Sequence, residues 1–292
     1  MRFCTLFLLA AALLTATAID AGSIPSDYSL VWADEFDTDG FIDTTSWNYD
    51  TWGNKINNWQ TKTPELQYYA PKRLKNVNCT NGILYITAIK EDLSDQPNWG
   101  GQSYSSGRIT TNTKRDFTYG FFEIRAKLSR GRGTHPAIWM EPRGGEIDIM
   151  EQVGQTPNTI FSNLHTPYTL RTVGSKGNDV QTVVSNAVTE FHNNQVLWSE
   201  EGIQFAVDDR VCHRVDKPVS SSMDNWPFVV PHYFILNVAV GGAWAGPPDS
   251  NTFTEPVVMA VDYVRVYQKS VQPTTTRKKD CKPRASRVRR HL

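Results

Sequence analysis

Cysteine is scarce in this sequence, with 4 in 292 residues. Cys4 sits in an apolar N-terminal stretch, which leaves Cys79, Cys212 and Cys281. An odd, widely spaced set excludes a small disulfide-stapled scaffold and fits no metal-binding pattern. A Cys79–Cys212 bridge and two buried thiols both stay open as readings. Asn78-Cys79-Thr80 is a formal N-glycosylation sequon, with limited access if Cys79 is paired. No second long apolar run follows Phe3–Leu14, so a multispan membrane protein is excluded. Long segments with a 3.6-residue apolar period are missing too, as are internal repeats. Net charge is nil, 30 basic against 30 acidic residues, but it is unevenly spread. Residues 272–292 hold eight basic residues against Asp280, whereas residues 19–271 hold 21 basic and 29 acidic groups. An acidic body argues against nucleic acid as a partner.

What is present is aromatic and apolar: 39% hydrophobic residues, with 9 Trp, 11 Tyr and 13 Phe. That is ample for a packed core. Met1-Arg2, the apolar stretch Phe3–Leu14 and Ala16-Thr17-Ala18 read as a secretory signal over residues 1–18. The mature protein is therefore expected outside the cell, with no membrane span. Residues 272–292 open with Gln272-Pro273-Thr274 and are strongly basic, so a disordered tail is expected. One domain, residues 19–271, remains between them.

Apolar and polar residues alternate repeatedly in that body. Phe122, Ile124, Ala126 and Leu128 interleave with Glu123, Arg125 and Lys127; Ile203, Phe205 and Val207 interleave with Gln204, Ala206 and Asp208. The same period over Val257–Tyr267 puts Met259, Val261, Tyr263 and Tyr267 on one face. Val207-Asp208-Asp209-Arg210 has the composition of a hairpin turn. Many short strands with Gly- and Pro-rich breaks predict an all-β chain, an antiparallel β-sandwich of the jelly-roll kind.

The stretch Gly145-Glu146-Ile147-Asp148-Ile149-Met150-Glu151 is the most informative. Glu146 and Asp148 share a face of a strand, and Ile147 and Ile149 point into the core. Strict alternation would bury Glu151 unpaired, at high cost. A β-bulge near Met150 returns it to the acidic face. Glu146 and Glu151 then stand about four strand steps apart, roughly 13 Å between Cα atoms. Side chains leaning together bring the carboxyls to about 5 Å, the separation of a retaining glycosidase. Spacing alone also allows an acidic surface strand or, more weakly, a metal site.

Seven further segments stand in order along the chain. They are Trp32-Ala33-Asp34-Glu35-Phe36-Asp37, Glu65-Leu66-Gln67-Tyr68-Tyr69, Ser106-Gly107-Arg108-Ile109, Tyr119-Gly120-Phe121-Phe122-Glu123, Pro136-Ala137-Ile138-Trp139-Met140, Phe234–Gly242 and Val261–Tyr267. With the acidic strand they resemble glycoside hydrolase family 16, in its laminarinase-like branch, over residues 28–268. The resemblance implies a concave glycan-binding face on the sandwich. It implies a secreted, retaining endo-β-1,3-glucanase acting on laminarin-like polymers, with endo-1,3(4) action as a variant. Glu146 is then the nucleophile, Asp148 the assisting acid and Glu151 the general acid/base. The other readings of the family are a non-catalytic β-glucan recognition protein, which usually lacks the glutamates, and a β-glucan transglycosylase. No cofactor is implied for the chemistry, and the chain is expected to be monomeric.

The same resemblance marks Trp139 as a sugar-stacking ring, Arg108 as a substrate contact and His165 as a neighbour of the nucleophile. Trp244 and Trp59 are weaker platform candidates. A core Trp139, an Arg108 salt bridge and a sheet histidine at 165 are the structural alternatives. His135 departs from the family, which usually has Trp there, so an altered subsite is expected. Asp262 matches a position that often holds structural Ca2+ through oxygen ligands.

Overall fold

The computed structural model describes residues 22–51, 65–96, 99–142, 144–171 and 180–270. The expected leader, Trp59, Cys281 and the basic residues 272–292 lie outside the described residues. Along the chain run β1 (Tyr28–Asp34), β2 (Asn48–Tyr49), β3 (Gln67–Tyr69), β4 (Val77–Thr80), β5 (Ile83–Lys90), β6 (Tyr104–Ser106), β7 (Arg108–Thr110), β8 (Gly120–Lys127) and β9 (Thr134–Glu141). There follow β10 (Glu146–Glu151), β11 (Thr159–His165), helix α1 (Pro167–Arg171), β12 (Val180–Val183), β13 (His192–Trp198), β14 (Gly202–Val207), β15 (Arg210–Asp216), β16 (Tyr233–Val240), helix α2 (Gly242–Ala245) and β17 (Val257–Lys269).

The strands form two sheets. The first runs β15-β14-β13-β8-β17-β5-β6-β3, with β1 beside β17 and β4 beside β5. The second runs β12-β11-β10-β9-β16-β7-β2. Pairing is antiparallel throughout the described ladders except between β3 and β6. One buried cluster takes Phe122, Ile124 and Val264 from the first sheet and Ile138, Ile147 and Leu236 from the second. The sheets therefore stack as a sandwich, the jelly-roll architecture the alternation predicts. Each fully buried Leu, Ile or Phe in such a core contributes about 2 kcal/mol through area removed from water.

The predicted turn is present: Asp208 (φ 48°) and Asp209 (φ 62°) form a two-residue connection between β14 and β15. Positive φ at both residues matches the twist of the flanking strands. Strand β17 corrects the simple alternation. Val261 faces Ala126 and Tyr263 faces Arg125, so Asp262 is an extra, bulged residue. Beyond it Val264 and Val266 enter the core. Tyr263 instead joins the outer face, where its hydroxyl donates to Glu123 Oε1 at 3.0 Å. Met259 and Val261 thus do not share a face with Tyr263 and Tyr267. The two described cysteines are not bonded to each other: Cys79 is buried in β4 and Cys212 is half-buried in β15.

Candidate active site

Strand β10 crosses the second sheet between β9 and β11 and carries all three acids. Gly145 brings the chain into it against Pro227, where a Cβ would lie 2.5 Å from Cγ. Asp148 pairs with Trp139 and Met150 with Ile138, so β10 holds one residue too many for β9. The same shift against β11 falls between Asp148 and Glu151. Ile149 and Met150 both enter the core. Residues directly opposite in a ladder share a face. Glu146 lies opposite His165, Asp148 opposite Asn163, and Glu151 opposite Ala137 and Phe161. All three acids therefore project from the outer face of the second sheet, as the bulge predicts.

The trio is crowded and poorly solvated. Asp148 is 2% exposed, and its Oδ2 has no hydrogen-bond partner. Burial pushes its carboxyl well above the usual range, and the charges of Glu146 and Glu151 and a hydrogen bond to Glu146 push the same way. Glu146 is raised by burial too, while His165 and the hydrogen bond to Asp148 pull it down and Glu151 and Glu141 push it up. The proton thus rests on Asp148, which donates to Glu146 and favours an ionised Glu146.

His165 Nε2 lies 3.4 Å from Asp148 Oδ2 and 3.9 Å from Glu146 Oε1. Asn163 Nδ2 bonds the same nitrogen at 3.0 Å. Glu146, Asp148 and His165 are the one group of three metal-ligand side chains gathered among the described residues, with atoms within 4.8 Å of one another. Holding a cation there would require both acids ionised, against the effect of burial on Asp148. The cluster fits a shared proton better.

Trp139 and His135 on β9 and Arg108 on β7 fall on the same face, and Trp244 reaches it from α2. Trp139 Nε1 donates to Asn237 Oδ1 at 2.8 Å, and Asn237 Nδ2 donates to the Tyr69 hydroxyl at 3.2 Å. The Arg108 guanidinium lies 5.1 Å from the Trp139 ring centre and 5.9 Å from that of Tyr69. Arg108 Nε donates to Asp50 Oδ2 at 2.8 Å, so the salt-bridge alternative is realised in a position that also touches the cleft rings. Trp139 is half-buried at the sheet surface, not part of the sandwich core. Trp244, on α2, is 44% exposed and edges against His135 and Phe161 with ring centres 5.0 and 4.9 Å away. His135 Nε2 meets Glu151 Oε1 at 2.9 Å, a contact no sequence reading anticipates.

Sequence reasoning passed over Asn163, Phe161, Glu141, Asn237 and Tyr69. Counting by twos from His165 and Trp139 finds the first three. Asn237 and Tyr69 meet only through tertiary pairing and carry no local signal.

Asp262 lies on the first sheet, away from the three acids. Its carboxylate pairs with the Arg125 guanidinium, beside the bulge of β17. A guanidinium in that position repels a cation, and no second carboxylate or histidine joins Asp262 in a metal-ligand group among the described residues.

The profile of the family described as glycosyl hydrolases family 16 matches residues 43–265. The β-glucanase of Rhodothermus marinus is 38% identical over 261 residues, covering 82% of this chain and 85% of that protein. The glucan endo-1,3-β-glucosidase A1 of Niallia circulans is 35% identical over 261 residues, but the match spans only 38% of its length. Among solved structures, the non-specific endo-β-1,3(4)-glucanase SCLam superposes with a TM-score of 0.79 at 43% identity, covering 85% of this chain and 94% of that one.

Proposed function

Because the chain belongs to glycosyl hydrolases family 16, we propose that it is a secreted, retaining endo-β-1,3-glucanase working by double displacement on laminarin-like glucans. The bulged strand that turns Glu146, Asp148 and Glu151 to one face carries this reading. In the first step Glu146 attacks the anomeric carbon while Glu151 protonates the leaving oxygen. A glycosyl ester forms on Glu146 and the aglycone departs. In the second step Glu151 takes a proton from water, which attacks the same carbon and frees Glu146. Asp148 holds its proton against Glu146, so the nucleophile is ionised without a third full charge in the cluster.

The β-1,3 linkage is supported by the activities of the similar proteins, one a glucan endo-1,3-β-glucosidase and one an endo-β-1,3(4)-glucanase. Trp139, anchored through Asn237, offers an aromatic face to the apolar face of a glucose ring. Export is part of the proposal: the secreted product should begin at Ile19.

Reducing-end release from laminarin tests the activity, and proton NMR of the first-formed anomer tests the stereochemistry. Retention of the β configuration is expected; inversion would remove Glu146 as nucleophile. Glu146→Gln should lower kcat about 10,000-fold while leaving glucan pull-down intact. A wild type that binds laminarin without releasing reducing ends would make the chain a recognition protein. Longer products at high acceptor concentration would make it a transglycosylase.

A further inference from the structure

Among the described residues it is His135 that bonds the acid/base, at 2.9 Å, and Trp244 packs edge-on against its ring. It stands on β9, two residues before Ala137, which pairs with Glu151 itself. Its side chain is 20% exposed. Glu151 itself is 16% exposed, so His135 is as open to the cleft as the acid/base it bonds.

We propose that His135 is a positioning residue for Glu151: its Nε2–H holds Oε1, leaves Oε2 to exchange the catalytic proton, and places a titratable charge beside the acid/base. This rests on the assignment of Glu151 above.

Three carboxylates face the imidazole: Glu151 and Glu146 from β10, and Glu65 from the segment bridged to Gly241. Trp244 from α2 and Ala239 from β16 also lie beside it and carry no charge. Burial alone would strip the imidazole of its proton, but the bond to Glu151 and the charges of Glu151, Glu65 and Glu146 outweigh it and raise its affinity for a proton. An imidazolium favours the ionised form of its partner. It therefore stabilises the carboxylate left on Glu151 once its proton has passed to the leaving oxygen, and its charge enters the pH dependence of that step.

Two variants separate bond from charge. His135→Phe keeps a ring against Trp244 and loses both. His135→Gln keeps a donor and loses the charge. For His135→Phe on laminarin, kcat should fall about 30-fold with KM changed less than about threefold. The alkaline limb of the kcat/KM profile should move up by about one pH unit. For His135→Gln, kcat should recover to within about threefold of wild type, with the alkaline limb still moved up. A raised KM with unmoved pH limbs in both variants would restore a sugar-contact role and overturn the proposal.

A second measurement needs no substrate. Imidazole NMR titration, with the His135 signal assigned by its loss in His135→Gln, should give a lower midpoint in Glu151→Gln than in wild type. An unchanged midpoint overturns the pairing. If wild type fails to cleave laminarin while the midpoint still falls, the assigned reaction is wrong and the pair stands.

Discussion

Two carboxylates, Glu91 and Asp148, show how surroundings decide what an acid is for. Glu91 follows β5 and is held by Arg73, with contacts at 3.1 and 3.3 Å, by Lys75 and by the Ser105 hydroxyl. Burial works against its charge, but the bonds to Lys75, Ser105 and Arg73 prevail and bring it down to about 2. Asp148 lies on the other sheet, with no cation bonded to it and two acids beside it, and is driven the opposite way. The first arrangement satisfies every lone pair in reach and makes an anchor. The second leaves Oδ2 unsatisfied and keeps a proton available. Poor satisfaction in a crowded acidic face marks the candidate site.

Replacing Asp148 tests that contrast most severely. Asp148→Asn keeps a donor toward Glu146 but cannot exchange a proton, so kcat on laminarin should fall about 100-fold. Stability should move in the other direction. Below the ordinary carboxylate range Asp148 is protonated in both folded and unfolded chains and costs nothing. As pH rises, the unfolded chain releases that proton while the folded one retains it, so wild type loses stability until the raised folded value is passed. The variant escapes this loss, and its Tm advantage should grow between pH 4 and pH 7, as read by calorimetry. A Tm deficit that deepens with pH would place Asp148 in the same class as Glu91.

Glu91→Gln should do the reverse on a smaller scale. It leaves Arg73 and Lys75 without their shared acceptor and should cost about 2 kcal/mol at neutral pH, with kcat unchanged. Because the folded value lies low, the stabilisation is complete above the ordinary carboxylate range and is lost as pH falls through about 2. Denaturant melts of both proteins should therefore converge toward pH 2. A gap that persists there would mean packing, not charge, holds the segment.

The two bulges explain how much of this was legible beforehand. In β10 an error in register would have buried Glu151, and the cost of a buried charge made the extra residue readable from the sequence. In β17 nothing forbade regular alternation: a tyrosine at 263 suits a core face or a polar face, and Asp262 pointed outward either way. The face switch there follows from pairing with β8, which no local pattern reports. The bulge in β10 placed the three acids on one face; the roles proposed for them came from the resemblance to the family, not from their spacing. The Trp139–Asn237–Tyr69 chain and the His135–Glu151 bond were not, because each depends on which strands become neighbours.

The bulge in β17 supplies the smallest test. Its Asp262 pairs with Arg125, and both side chains are partly open to solvent, 29% and 39% exposed. Such a pair contributes only about 0.5 kcal/mol. Asp262→Asn should therefore lower Tm by no more than a degree or two in a chain of this size. Millimolar Ca2+ should leave the Tm of wild type and variant equally unmoved, since a guanidinium already occupies the carboxylate. A rise in the wild-type Tm with Ca2+ that the variant lacks would show the cation displacing Arg125. The outer face of the first sheet would then be a regulated site, not the passive counterpart of the acidic face opposite.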